Sequence, residues 1–253
     1  LLSGGALSSR VAYYFYFYMN ERGEVAGVED AYLMYNNLGG IDFDIYLGQF
    51  QVSDPLFKRE LRLTYEDYQI YKTKVGFSQI ALAYDRGIML TLGIENGPDL
   101  IAEIVNGNGL AEADEQRVYD SDKYKSFAGR ISWDVNDYLR VGGFGYYGKE
   151  GRNTTSEVWL AGPDVTVTDG KYLELNFQYL ERRDSNPLFY PCFQNCAELE
   201  DVETSGGFAE LVFTPDGDRS KWYAVGLFNW VEIDPAKHMD GVPYYPYYQL
   251  EEK

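Results

Sequence analysis

Apolar and polar residues alternate along most of the chain with a period of two, the pattern of strands whose two faces meet different media. In 173–179, Leu173, Leu175, Phe177 and Tyr179 share one side, and Glu174, Asn176 and Gln178 share the other. Over 41–47, Asp42 and Asp44 oppose Ile41, Phe43, Ile45 and Leu47. Over 127–134, Arg130, Ser132 and Asp134 oppose Phe127, Ile131 and Trp133. The pattern predicts eleven strands, at 10–19, 28–36, 41–50, 85–94, 99–106, 125–134, 138–148, 162–169, 172–182, 206–214 and 221–231. Helical periodicity is weak, and only 57–72 suggests a short helix, within a loop.

The connections alternate between short and long. Short ones hold turn formers such as Asn37-Leu38-Gly39-Gly40, Glu95-Asn96-Gly97-Pro98, Asn136-Asp137 and Asp169-Gly170. Long ones cover 51–84, 107–124, 149–161 and 183–205. Alternation of this kind puts every long loop at one end of a sheet, as in barrels with short periplasmic turns and long extracellular loops. The expectation is therefore an all-β, antiparallel transmembrane β-barrel of a bacterial outer membrane, one domain over 1–253. A sheet in hydrocarbon must close, because its edge N–H and C=O groups find no other partners there. Such barrels usually have an even number of strands, so a count of eleven implies a misplaced boundary or strands outside this stretch.

Composition supports the same picture. The chain has 24 Tyr, 14 Phe, 4 Trp and 26 Gly, and the aromatics near strand ends suit girdles at a lipid interface. No apolar run is long enough for a transmembrane helix, which needs about 18 residues. A formal net charge of -18 argues against nucleic acid as a partner. The polar side of the alternation offers Asp42, Asp44, Glu103, Arg130, Asp134, Arg140, Glu174, Asn176, Gln178 and Glu210 as the lining of a passage. The acidic run Glu112, Asp114, Glu115, Asp120 and Asp122 could hold Ca²⁺ through hard oxygen ligands, although such runs are more often hydrated surface.

Cys192 and Cys196 lie four residues apart in 183–205. A disulfide suits an extracytoplasmic compartment; a metal pair is the alternative, without a nearby His to support it. His238 is the sole histidine, and no Gly-x-Ser-x-Gly elbow, Walker or dinucleotide motif occurs. No enzymatic activity is expected.

Val28-Glu29-Asp30-Ala31-Tyr32-Leu33-Met34-Tyr35, followed by Ile45-Tyr46-Leu47-Gly48-Gln49-Phe50-Gln51-Val52, resembles the phosphate-selective porins of Gram-negative outer membranes. Asp85-Arg86-Gly87-Ile88, Val105-Asn106-Gly107 and 138–148 extend the likeness in patches. The resemblance implies a sixteen-stranded barrel, commonly trimeric, passing small anions by diffusion. It also implies basic residues at a constriction, here Lys58, Arg59, Arg62, Lys72 and Lys74 in the long loop 51–84, a constriction or lid. The acidic polar faces work against anion selectivity. The expected function is thus an outer-membrane porin for small hydrophilic solutes or ions, in contact with outer-membrane lipid and lipopolysaccharide. The alternative is a porin-like sheath enclosing a multihaem cytochrome, any haem then belonging to that partner.

Overall fold

The computed structural model describes residues 1–18, 27–52, 68–110, 118–120, 122–189, 201–234 and 248–249. Among these residues fourteen strands and one short α-helix, besides two 3-10 turns, follow in order: β1 (Leu2–Ala6), β2 (Val11–Tyr18), β3 (Gly27–Tyr35), β4 (Phe43–Gln51), α1 (Gln69–Lys72), β5 (Lys74–Val75), β6 (Tyr84–Gly93), β7 (Asp99–Val105), β8 (Ser126–Asn136), β9 (Leu139–Glu150), β10 (Ser156–Thr168), β11 (Leu173–Asp184), β12 (Val202–Phe213), β13 (Ala224–Ile233) and β14 (Tyr248–Gln249). Twelve of the strands form one antiparallel sheet in the order β1-β2-β3-β4-β6-β7-β8-β9-β10-β11-β12-β13, and β5 pairs with β14 in a second.

The antiparallel sheet agrees with the sequence pattern; its closure does not. β1 and β13 stand at opposite ends of the strand order, each with a single paired neighbour among the described residues. The expected closed transmembrane β-barrel, with sixteen strands in the whole, is therefore corrected to an open twelve-stranded sheet. The porin function and the cytochrome sheath go with it, because both need a wall continuous around a lumen. The outer-membrane location was inferred from that wall, and unpaired edges at β1 and β13 remove its basis. No helix among the described residues is long and apolar enough to cross a membrane.

Strand boundaries differ where local signals misled. β1 was not expected, because Leu2-Ser3-Gly4-Gly5-Ala6 shows no polar and apolar alternation; it is held by pairing with β2. β10 begins at Ser156, six residues before the expected start, and runs through Gly162-Pro163. Pro163 has no N–H to give, and the β10–β11 ladder lacks its rungs at 162 and 163 while keeping one register on both sides. The expected long loop 149–161 thereby shrinks to the five residues 151–155. The turn after β10 follows its sequence: Gly170 has φ +76°, and the Asp169 carboxylate accepts the amides of Lys171, Tyr172 and Leu173.

The register sorts the side chains into two faces. One carries Met89, Glu103, Ala128, Arg130, Phe144, Asp164, Gln178, Phe208 and Glu210, in contact from strand to strand. The segment 68–82, with α1 and β5, folds back across this face as a strap. Tyr68, Ile70, Tyr71, Ile80 and Leu82 of the strap join Phe50, Met89, Val105, Phe144, Tyr146, Val158, Leu160, Leu180 and Phe208 in one buried cluster. Tyr68 stacks on Phe208 with ring centroids 3.8 Å apart. The core thus lies between strap and sheet, on the side that also holds the buried charges.

Candidate functional site

The strap is fastened by polar groups rather than by packing alone. The Arg182 guanidinium, fully enclosed, donates to the carbonyls of Thr73 (2.8 Å) and Ile80 (3.0 Å) and to Ser78 Oγ (3.2 Å). The same group forms a two-pronged pair with Asp184 at 2.7 and 2.8 Å. Five donors in a planar fork let one arginine serve two strap carbonyls and a carboxylate together. Ser78 donates to Glu150, and the Gln79 amide donates to the other oxygen of that carboxylate at 2.9 Å. Tyr71 donates to Gln178, and Tyr68 to Glu210 at 3.1 Å. Burial pushes the Glu150 carboxyl up to about 7, against the lowering effect of Ser78, Gln79 and Arg182. Burial likewise raises Asp85 to about 6, although the amides of Arg86 and Gly107 bond to it.

A second polar group crosses the middle strands. Arg130 on β8 reaches Asp164 on β10 at 2.5 Å, passing over β9 at Gly142. A Cβ on Gly142 would lie 2.6 Å from both partners, so glycine there opens the way for the pair. Burial raises the Asp164 carboxyl despite Arg130. Arg140 pairs with Asp99, lies 3.7 Å from Asp134, and donates to Ser132 at 2.9 Å.

The residues singled out from the sequence fall as follows. Arg130, Asp134 and Arg140 belong to this group. Asn176 donates to Glu174 at 2.8 Å and accepts from Thr166 at 2.8 Å. Gln178 and Glu210 hold the strap, Glu103 is buried, and Asp44 accepts the Asn37 amide at 2.8 Å. Asp42 is exposed before β4. Lys72 and Lys74 are half-buried in the strap, whereas Lys58, Arg59 and Arg62 lie outside the described residues. Cys192, Cys196, Glu112, Asp114, Glu115 and His238 also lie outside them, so the disulfide has no place in this description; Asp120 and Asp122 are described, and no group of three or more potential metal ligands occurs among the described residues. Arg182 and Asp184 were missed, although extending the alternation of 173–179 by five residues puts both on the side of Gln178.

The opposite face is of another kind. Large apolar side chains stand more than a third exposed on β3, β4 and every strand from β6 to β13, among them Leu47, Ile88, Phe127, Trp133, Leu175 and Phe228. Charged residues on this face gather at the end of the sheet that carries Glu29, Arg86, Lys149, Glu157, Arg183 and Glu232. At that end Trp159, Tyr179, Glu181, Arg182, Arg183 and Glu232 are among the residues that line a cavity of about 620 Å³.

No protein-family model matches this chain, and no curated protein matches it. The likeness of Val28–Tyr35 and Ile45–Val52 to phosphate-selective porins is corrected accordingly: these segments make β3 and β4 of an open sheet, and the short motifs reflect strand alternation rather than membership of that family.

Proposed function

We propose that this protein binds lipid, taking acyl chains against the apolar face of its sheet while the strap closes the polar face. The reading needs neither a passage nor a closed wall. One observation carries it: large aliphatic and aromatic side chains stand exposed on this face in ten adjacent strands, from β3 to β13 without the two-residue β5, and the row from Phe43 through Leu92, Leu100 and Ile131 to Trp230 crosses β4 to β13 without a charge. Proteins in water seldom expose an apolar patch beyond a few hundred Å². Leaving this face wet would forgo about 25 cal/mol for each Å² that an apolar medium could cover. Acyl chains conform to any relief, and the charged row at one end suits the level of headgroups.

Trp133, Trp159 and Trp230 project from this face, and Trp222 is exposed beside it at the entry to β13. Mixing the purified chain with phosphatidylcholine vesicles brominated along the acyl chains is expected to quench tryptophan emission. Emission indifferent to bromine would overturn the proposal. So would a concentration-dependent oligomer in lipid-free buffer whose emission lipid leaves unchanged, since a second copy would then cover the face.

A further inference from the structure

The cavity at the charged end of the apolar face has a floor and walls set by strand register. Ser205 on β12 lies opposite Glu181 on β11 and Glu232 on β13, and Gly207, two residues on, lies opposite Tyr179. Ser205, small and on the central strand, makes the floor, whereas Gly207 is covered by the Trp230 ring. Longer residues on its neighbours make the walls, with Trp159 closing the side toward β10. The volume, about 620 Å³, is that of a small-molecule site.

We infer that this cavity is a binding site for an organic ammonium ion, of the choline type. The two glutamates flank the floor from strands on either side, their backbones two strand spacings or about 10 Å apart. Among the described residues no group of three or more carboxylates, His or Cys is placed to hold a metal ion, here or elsewhere. An alkylated ammonium group fills such a gap and carries apolar surface to meet the rings of Trp159 and Tyr179, whose faces attract cations. Tyr179 donates to Glu181 at 3.1 Å and so fixes that carboxylate against the wall. Anions are disfavoured, because both arginines of the lining are engaged: Arg182 with Asp184, and Arg183 with Glu203, 3.8 Å also from Asp201. Glu232 and Asp234 make no side-chain hydrogen bond or ion pair among the described residues, which leaves their charge for the ligand.

The inference goes beyond the lipid reading and does not rest on it. Choline is titrated into the purified chain by calorimetry, beside its neutral carbon isostere 3,3-dimethylbutanol. Saturable binding of choline and none of the isostere is expected. Glu181→Gln with Glu232→Gln should weaken choline roughly tenfold, and Trp159→Leu about threefold. All three positions are at the surface, and far-UV circular dichroism checks that the variants stay folded. If free choline gives no signal, phosphatidylcholine vesicles are compared with phosphatidylglycerol vesicles. Tighter binding of the former, lost in the double variant, assigns the ammonium to a lipid headgroup. Equal binding of isostere and choline, or no effect of the double variant on either source, overturns the inference.

Discussion

The two faces of this sheet invert the usual arrangement. On the face beneath the strap, Glu150, Asp164, Arg182 and Asp184 are buried and bonded. On the other, Phe127, Trp133 and Phe228 stand open. In an ordinary half-solvated antiparallel sheet the apolar side packs and the polar side is wet. Burial here is achieved by a chain segment that brings its own aromatic residues and carbonyls to a mixed surface, apolar at Phe144, Leu160 and Phe208 and charged at Asp164 and Arg182. The difference teaches that burial and hydrophobicity are separate assignments: the strap determines the first, and strand alternation the second. The first predictions break the strapped face, and the last probes the open one.

The largest effect is expected from Arg182→Met. The change removes donors from Thr73, Ile80 and Ser78 and leaves Asp184 buried without its partner. Breaking a buried pair from one side costs about 3–5 kcal/mol. Urea denaturation should show that loss, and limited proteolysis should cut within 68–82 first. An unchanged midpoint with an intact strap would mean that packing alone holds the segment.

Glu150→Gln tests the same face through pH. The native carboxyl titrates at about 7 against an ordinary 4.5, because burial disfavours its charge. A raised native pKa means that the native state holds a proton the unfolded chain has released. The associated stability is complete below 4.5 and is lost as pH climbs through about 7. Gln keeps an acceptor oxygen for the Gln79 amide without titrating, and its NH2 takes the place of the oxygen to which Ser78 donates. The stability of the parent relative to Glu150→Gln should therefore fall by up to about 3 kcal/mol between pH 4.5 and 7 and level off above. A difference independent of pH would mean that the carboxyl is ionised throughout. Tyr71→Phe should cost less, about 1–2 kcal/mol in the same denaturation experiment, by leaving Gln178 without its hydroxyl donor.

What could be read from the residues divides along the same line. Period-two alternation needs only local chemistry, so the faces of β8 and β11 were legible from Phe127–Asp134 and Leu173–Tyr179. The closed ring was inferred from what hydrocarbon would require of a sheet edge, and no residue in the chain encodes that requirement locally; the strand order refutes it. The candidate site was legible in part. Gln178 and Glu210 were picked out, but their partners Tyr71 and Tyr68 come from a segment more than a hundred residues away in sequence. Asp164 lies inside the expected strand 162–169, but its partner Arg130 sits two strands away on β8, a pairing that only the register shows. The cavity depends on Ser205 lying between Glu181 and Glu232 on the two neighbouring strands, an arrangement visible only once register is known.

The smallest effect on stability should come from Phe228→Asp, and it separates the two faces most cleanly. Phe228 is 65 % exposed, the most open large side chain on the described strands of the apolar face, and its ring stacks on that of Trp230 with centroids 5.8 Å apart. Surface substitutions away from buried contacts usually change stability by no more than about 0.5 kcal/mol. Phe208→Asp on the next strand, at a position with no exposure and a stacked Tyr68, is the matched control and should unfold the chain. If lipid covers the open face, Phe228→Asp instead loses affinity for vesicles, because a carboxylate must then be brought against acyl chains. Retained stability with weakened quenching by brominated lipid separates a face that folds the protein from a face that meets its partner. Equal quenching for Phe228→Asp and the parent would mean that lipid does not reach the middle of β13, and the proposed lipid contact would have to be withdrawn from that strand.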